Sequence, residues 1–190
     1  MSPEIWWYVS RASGIVAWMM LTGAVVLGTV LSARLLLPRR AAWLLDLHRW
    51  LGGLAVCFLA AHLVALLLDS YAEFGLLDVL LPFASEWRPV AVALGVAAFW
   101  LLIAVAATSL AAKRLSRKGW RAVHLASYAV FWLTSVHGAL AGTDASQPLY
   151  VVTGIVALVA VVFAITYRVL TRDAGRRERR PLPLPVDTRV

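Results

Sequence analysis

Residues Ala42–Leu68 read AWLLDLHRWLGGLAVCFLAAHLVALLL. This stretch is almost continuously apolar, and it is longer than the roughly 20 residues that a helix needs to cross the hydrocarbon of a bilayer. Two histidines, His48 and His62, stand inside it, 14 residues apart. Ionisable side chains within a membrane span are rare and usually functional. The stretch therefore predicts a transmembrane helix that carries a functional site.

The chain contains four further apolar stretches long enough to cross a membrane: Tyr8–Leu31, Val90–Ala112, Ala122–Leu140 and Leu149–Leu170. Over all 190 residues, 62% are apolar and 15% are charged, whereas a soluble domain carries about 25% charged residues. A helix satisfies its own backbone hydrogen bonds in lipid. We therefore predict an all-α integral membrane bundle of about five transmembrane helices over residues 1–172, multi-pass in the plasma membrane. The shorter apolar piece Phe74–Phe83 predicts a loop or short helix at the interface.

The basic residues are distributed unevenly between the two sides of this bundle. Sixteen of the 18 Lys and Arg residues fall on one side, and only Arg11 and Arg88 fall on the other. Because cytoplasmic loops carry an excess of basic residues, the N-terminus is predicted outside and the C-terminus in the cytoplasm. Residues 173–190, basic and proline-rich, predict a disordered cytoplasmic tail. This distribution accounts for the net charge of +8 without a nucleic acid partner.

The four histidines of the chain lie in two spans that run in the same direction. His48 therefore shares a level with His124 (pair 1), and His62 shares a second level with His137 (pair 2). The two levels are about 21 Å apart in span 2 and about 20 Å apart in span 4, at 1.5 Å per residue. A haem between two helices, with an imidazole on each side of its iron, requires this layout. The spacing predicts two haem sites.

The two spans differ in the direction of their histidines. Fourteen residues bring His62 to within roughly 40° of the face of His48, whereas 13 residues leave about 140° between His124 and His137. A kink, a π-bulge or an opposed approach of the rings would have to absorb the difference.

Four arginines are candidates to neutralise haem propionates. Arg49 and Arg121 stand beside pair 1, where charge that only sets the topology is the alternative interpretation. Arg11 and Arg88 are the basic candidates near pair 2.

Small and aromatic residues also accompany the histidines. Gly52 and Gly53, one turn beyond His48, are of the type that lets a large ring approach a helix closely. Phe58, Phe131 and Trp132 lie between the two levels, where they either shorten an electron path or simply pack.

Three segments resemble the ferric reductase-like transmembrane domain, a superfamily that includes NADPH oxidases, ferric reductases and the haem-binding subunit of a bacterial methionine sulfoxide reductase system. They are HRWLG at 48–52 with AAHL at 60–63, Thr108-Ser109 with the basic loop after it, and WRAVH at 120–124 with Tyr128 and His137. The resemblance covers about residues 10–170. It implies two b-type haems, one bound by His48 and His124 and the other by His62 and His137.

The resemblance implies a dihaem b-type cytochrome that moves electrons outward across the membrane. We expect a cytoplasmic flavin reductase or a quinol as donor near the basic loop Lys113–Arg121, and an extracytoplasmic oxidoreductase, ferric iron or oxygen as acceptor. No glycine-rich nucleotide motif follows the last span, so a partner would supply or share any flavin or quinone, and whether this subunit is itself an enzyme stays open. Two alternatives also stay open: a cytochrome b subunit of a quinol-linked dehydrogenase complex, and a haem-free metal-ion transporter that uses the four histidines. The single cysteine, Cys57, excludes an internal disulfide and any cysteine-ligated cluster.

Overall fold

The computed structural model describes residues 5–33, 41–70 and 74–178, and it is built from helices and short connections. The helices are α1 (Ile5–Ser32), α2 (Ala41–Leu68), α3 (Leu76–Leu80), α4 (Pro89–Leu110), α5 (Arg117–Leu125), α6 (Ser127–Ala141) and α7 (Pro148–Glu178). Within these ranges there is no strand. The predicted all-α membrane bundle is confirmed.

Four of the helices, α1, α2, α4 and α7, are long and apolar enough to cross a membrane. They match four of the five predicted spans. Helices α4 and α7 begin at Pro89 and Pro148, because proline lacks the N–H that the first turn of a helix leaves unused. Large apolar side chains on α7 are open to the surroundings, with Val156 62% and Phe163 69% exposed. These faces suit a lipid environment, and the protein is a multi-pass membrane protein.

The predicted continuous span Ala122–Leu140 is wrong in one respect, because the structure divides it into α5 and α6. The break falls at Ala126, whose N–H bonds to the carbonyl of Val123 three residues back. Such a bond turns the chain by about 120° per residue instead of 100°. The break lies between His124 and His137.

Helix α1 is the centre of the bundle. It packs along α2 and also contacts α6 and α7, while α4 packs on α6. The core between them contains the fully buried Val130, Phe131 and Val161. In the part of the chain that the structure describes, α2 and α6 hardly touch each other. The two helices that carry three of the four histidines therefore flank a gap.

The remaining segments are short or lie at the ends. Helix α3, with only five residues, falls in the stretch predicted as an interfacial piece, and the Trp100 indole N–H donates to the carbonyl of Leu80 at 2.9 Å. Helix α7 continues to Glu178, six residues into the segment predicted as a tail. Alanine, arginine and glutamate there favour helix. Residues 179–190, the rest of the predicted tail, lie outside the described residues.

Candidate functional site

Pair 1 brings a histidine of α2 against a histidine of α5. The ring centroids of His48 and His124 are 5.9 Å apart. A metal ion bound by one nitrogen of each ring, with bonds of about 2 Å, fits this separation. The structure therefore joins the two histidines that the sequence assigned to one level.

Pair 2 lies on the walls of a cavity of about 210 Å³ inside the bundle. His62 of α2 and His137 of α6 both line it, and they are close enough to interact electrostatically. The rest of the wall is largely apolar and includes Trp18, Leu21 and Leu102. An apolar cavity between two imidazoles is the environment that a flat macrocycle with a central iron requires.

Three histidines hydrogen-bond in the same way to a neighbouring helix. In each case Nδ1 meets a backbone carbonyl oxygen, and the bonds run from His48 to Ala24 at 2.9 Å, from His62 to Ser10 at 2.7 Å and from His137 to Ala91 at 2.7 Å. A carbonyl accepts, so Nδ1 carries the proton of the neutral imidazole. The lone pair of Nε2 is then free to bind a metal, which is how metal-ligating histidines are usually oriented.

A glycine stands four residues after each accepting carbonyl and leaves room for the ring. A Cβ at Gly14 would lie 3.0 Å from His62, one at Gly28 would lie 3.1 Å from His48, and one at Gly95 would lie 2.8 Å from His137. These separations are shorter than ordinary van der Waals contact. The three glycines therefore allow each imidazole to reach the carbonyl.

His124 is held by a side chain instead of a carbonyl. Its Nδ1 lies 3.3 Å from Ser109 Oγ, and that hydroxyl already donates to the carbonyl of Val105 at 2.7 Å. The Ser109 oxygen is therefore the acceptor, and Nε2 of His124 is free as in the other three histidines. Trp120 stacks on the other side of this ring, with centroids 5.0 Å apart.

These observations fit a haem at each pair better than a metal ion held by protein ligands alone. Each pair offers two imidazoles with free Nε2 atoms, which is the axial set of a bis-histidine haem. Among residues 5–33, 41–70 and 74–178, no three His, Cys, Asp or Glu side chains form a metal-binding group. Protein-only sites for zinc and similar ions normally use three or four ligands.

The four arginines singled out in the sequence fall in different surroundings. Arg49 is exposed and bonds to Asp46 at 3.2 Å, and Arg121 is exposed on α5. Arg11 lines the cavity of pair 2 and forms an ion pair with Asp144. The guanidinium of Arg88 donates to the carbonyl of Leu140 at 2.5 Å. Propionate binding by these arginines stays a prediction, and Arg11 has the position that suits it best.

The predicted bridging aromatics and small residues are placed as follows. Phe131 is fully buried in the core, Phe58 is half-buried, and Trp132 is exposed. A Cβ at Gly52 or Gly53 would meet open space, so neither glycine touches a histidine.

Sequence reasoning missed the glycines of the neighbouring helices. One signal was available: Gly14 and Gly28 are separated by 14 residues, the same spacing as His48 and His62. Two antiparallel helices with matched spacings place each glycine opposite one histidine.

The fold and the site define a helical membrane protein with two histidine pairs at two depths. The family model described as ferric reductase like transmembrane component matches residues 13–136. The chain belongs to this family, whose members typically bind haem, and membership indicates electron transfer in the membrane. The match includes His48, His62 and His124 and ends one residue before His137. No curated protein and no solved structure gives a significant match.

Proposed function

We propose that the protein is a dihaem b-type cytochrome that carries electrons across the plasma membrane. One observation supports this most strongly: all four histidines direct Nδ1 to an acceptor and keep Nε2 free, and they form two pairs. The pairs are about 20 Å apart along the helices. Two sites at different depths divide the membrane into steps that an electron can cross.

The residues of each pair would hold one haem, His48 and His124 at pair 1 and His62 and His137 at pair 2. A haem iron bound by two imidazoles supplies one-electron transfer without an open position for a substrate. The hydrogen bonds at Nδ1 fix the direction of each ring and raise its basicity as a ligand. The walls around pair 2 are largely apolar, which suits the flat face of a macrocycle.

Electrons would enter beside pair 1, because α5 carries both His124 and part of a basic surface. Five side chains of this surface are exposed: Lys113, Arg114, Arg117, Lys118 and Arg121. His124 lies at the end of the same helix. A cytoplasmic flavin reductase or a quinol is the proposed donor, and the basic surface would attract a flavin reductase with an acidic docking face.

Electrons would leave beside pair 2, at the end of the bundle where the loop before α7 meets α1. Arg11 and Asp144 form their ion pair at this end, and both side chains line the cavity. The proposed acceptor is an extracytoplasmic oxidoreductase, ferric iron or oxygen.

Vesicles with trapped oxidised cytochrome c test this proposal. Dithionite added outside, which does not cross the membrane, should reduce the trapped cytochrome c only when the protein is present. His48→Ala and His62→Ala should each lower the rate to that of protein-free vesicles, since both sites are needed in series. Cys57→Ala, at an exposed position of α2, is the control and should keep the wild-type rate. Full transfer by either histidine variant, or none by the wild type, would contradict the proposal.

A further inference from the structure

Arg168 is a charged side chain buried in the bundle, only 9% exposed. Its Nη1 donates to the Tyr128 hydroxyl at 2.8 Å. That hydroxyl lies 2.8 Å from Thr29 Oγ1, which itself donates to the carbonyl of Val25 at 2.7 Å. The Tyr128 proton is therefore directed to Thr29, and the three side chains link α7, α6 and α1 in one chain of hydrogen bonds.

The positive charge of Arg168 is not balanced by these contacts. Its Nε is buried and has no hydrogen-bond partner, and Arg168 forms no ion pair with the side chains that the structure describes, those of residues 5–33, 42–70 and 74–171. An arginine stays protonated in proteins. A buried charge without a counter-charge is costly in a protein and more so in a membrane. An anion bound at Nε would balance this charge.

The hydrogen-bond partners of Arg168 lie near both histidines of pair 1 along their helices. Tyr128 lies four residues after His124, about one helical turn. Thr29 follows Gly28, whose Cα faces the ring of His48. Pair 2 lies about 20 Å further along the helices. The unbalanced charge therefore belongs to the level of pair 1.

We propose that Arg168 binds a carboxylate of the haem held by pair 1, with Nε as its free donor. This inference rests on the proposed dihaem function, since haem is the source of the carboxylate. Charge-assisted bonds from arginine to carboxylates are the strong class of hydrogen bond, and burial strengthens them further. This adds a binding residue on α7 to the exposed Arg49 and Arg121, whose propionate binding stays a prediction.

The redox potentials of the two haems provide the first test. A nearby positive charge favours electron uptake, so Arg168→Gln should make one of the two midpoint potentials more negative. We expect a shift of at least about 59 mV, a tenfold change for one electron, and no shift at the other haem. Cys57→Ala, at an exposed position of α2, is the control and should move neither potential.

Combination with His48→Ala assigns the shift to a pair. In that background only the haem of pair 2 is left, and Arg168→Gln should not change its potential. If Arg168→Gln does not fold, Arg168→Lys keeps the charge without Nε and should weaken haem retention at pair 1 with little change in potential. Unchanged potentials and unchanged retention in a protein that holds two haems would overturn the inference and leave the proposed function intact. Absence of haem from the wild type would contradict the proposed function itself.

Haem dimethyl ester, whose carboxylates are blocked, identifies the anion. The wild-type chain and the Arg168→Gln variant, both produced without haem, should bind this ester at pair 1 about equally well. Haem itself should bind the Arg168→Gln variant more weakly than the wild type. If Arg168→Gln weakened the binding of both ligands equally, the anion would not be a haem carboxylate, and the inference would be overturned. A lipid phosphate at Nε, or a purely structural role of Arg168, would give this result.

Discussion

At three of the four histidines the imidazole is pressed against the backbone of a neighbouring helix. Glycine in a helix interior costs about 1 kcal/mol relative to alanine, so a glycine needs a local reason. Here the reason is contact: Gly14, Gly28 and Gly95 each leave the space that a histidine ring occupies. The ring is then held by a carbonyl at hydrogen-bond distance and directs Nε2 away from that helix.

Gly95→Ala should remove the haem of pair 2 and keep the haem of pair 1. The added methyl would lie 2.8 Å from the His137 ring. Because the methyl is fixed to the backbone of α4, the imidazole has to turn away from it. Haem content should fall from two per chain to one, measured as the pyridine haemochrome.

Gly154→Ala is the matched control, because nothing lies within 4 Å of a Cβ at that position of α7. This variant should keep both haems. Two haems in the Gly95→Ala protein would show that the close contact is not needed to orient His137.

The histidines could be predicted from sequence alone, whereas Arg168 could not. Polar residues within an apolar run are visible without coordinates, and 14- and 13-residue spacings translate directly into levels. Arg168 stands near the end of the last span, where arginine is common for topology alone. Its burial depends on how α7 packs against α1, and this packing cannot be predicted from the sequence of α7.

At the scale of elements, the division of the fourth crossing into α5 and α6 has a physical role. On helix α5, Arg117, Lys118 and Arg121 are exposed, while Trp120 and His124 are half-buried. The break at Ala126 separates this amphipathic helix from the apolar α6. Hydropathy could not predict the break, because the sequence 122–140 contains neither proline nor glycine before Gly138.

Removal of the positive charges that α5 contributes to the basic surface should slow electron entry from an anionic donor. We expect reduced flavin mononucleotide to donate electrons to the triple variant Arg117→Gln, Lys118→Gln, Arg121→Gln at least about threefold more slowly than to the wild type at low salt. The reason is that attraction between opposite charges raises association rates. The difference should disappear at high salt, where charges are screened. Stopped-flow absorbance of the protein in detergent measures both rates.

Reduced riboflavin, which lacks the phosphate, is the control donor and should reduce the triple variant and the wild type at equal rates. Equal rates with reduced flavin mononucleotide at low salt would contradict a role of this surface in electron entry.

At the scale of the whole molecule, the positive residues predict a single orientation. The basic surface lies in the loop between α4 and α5 and on α5 itself, and the loop between α6 and α7 carries Asp144. The positive-inside rule predicts that the first loop faces the cytoplasm and the second faces outward. Electrons that enter at pair 1 and leave at pair 2 then move outward.

Single-cysteine labelling in intact cells tests this orientation. In a Cys57→Ala background, a membrane-impermeant maleimide should label Ser146→Cys and should not label Leu115→Cys until the cells are opened. Both positions are exposed in the structure, so a difference reports the side of the membrane and not burial. Labelling of Leu115→Cys alone in intact cells would reverse the predicted orientation.

The number of haems per chain tests the central claim most directly. The full chain, purified in detergent from haem-replete cells, should show the sharp reduced-minus-oxidised bands of low-spin b-type haem and a pyridine haemochrome value of two per chain. His48→Ala and His62→Ala should each lower that value to one, because each removes a proposed haem ligand from a different pair. No bound haem in the wild type would contradict the account, and a single haem that survives the loss of His48 would restrict it to pair 2.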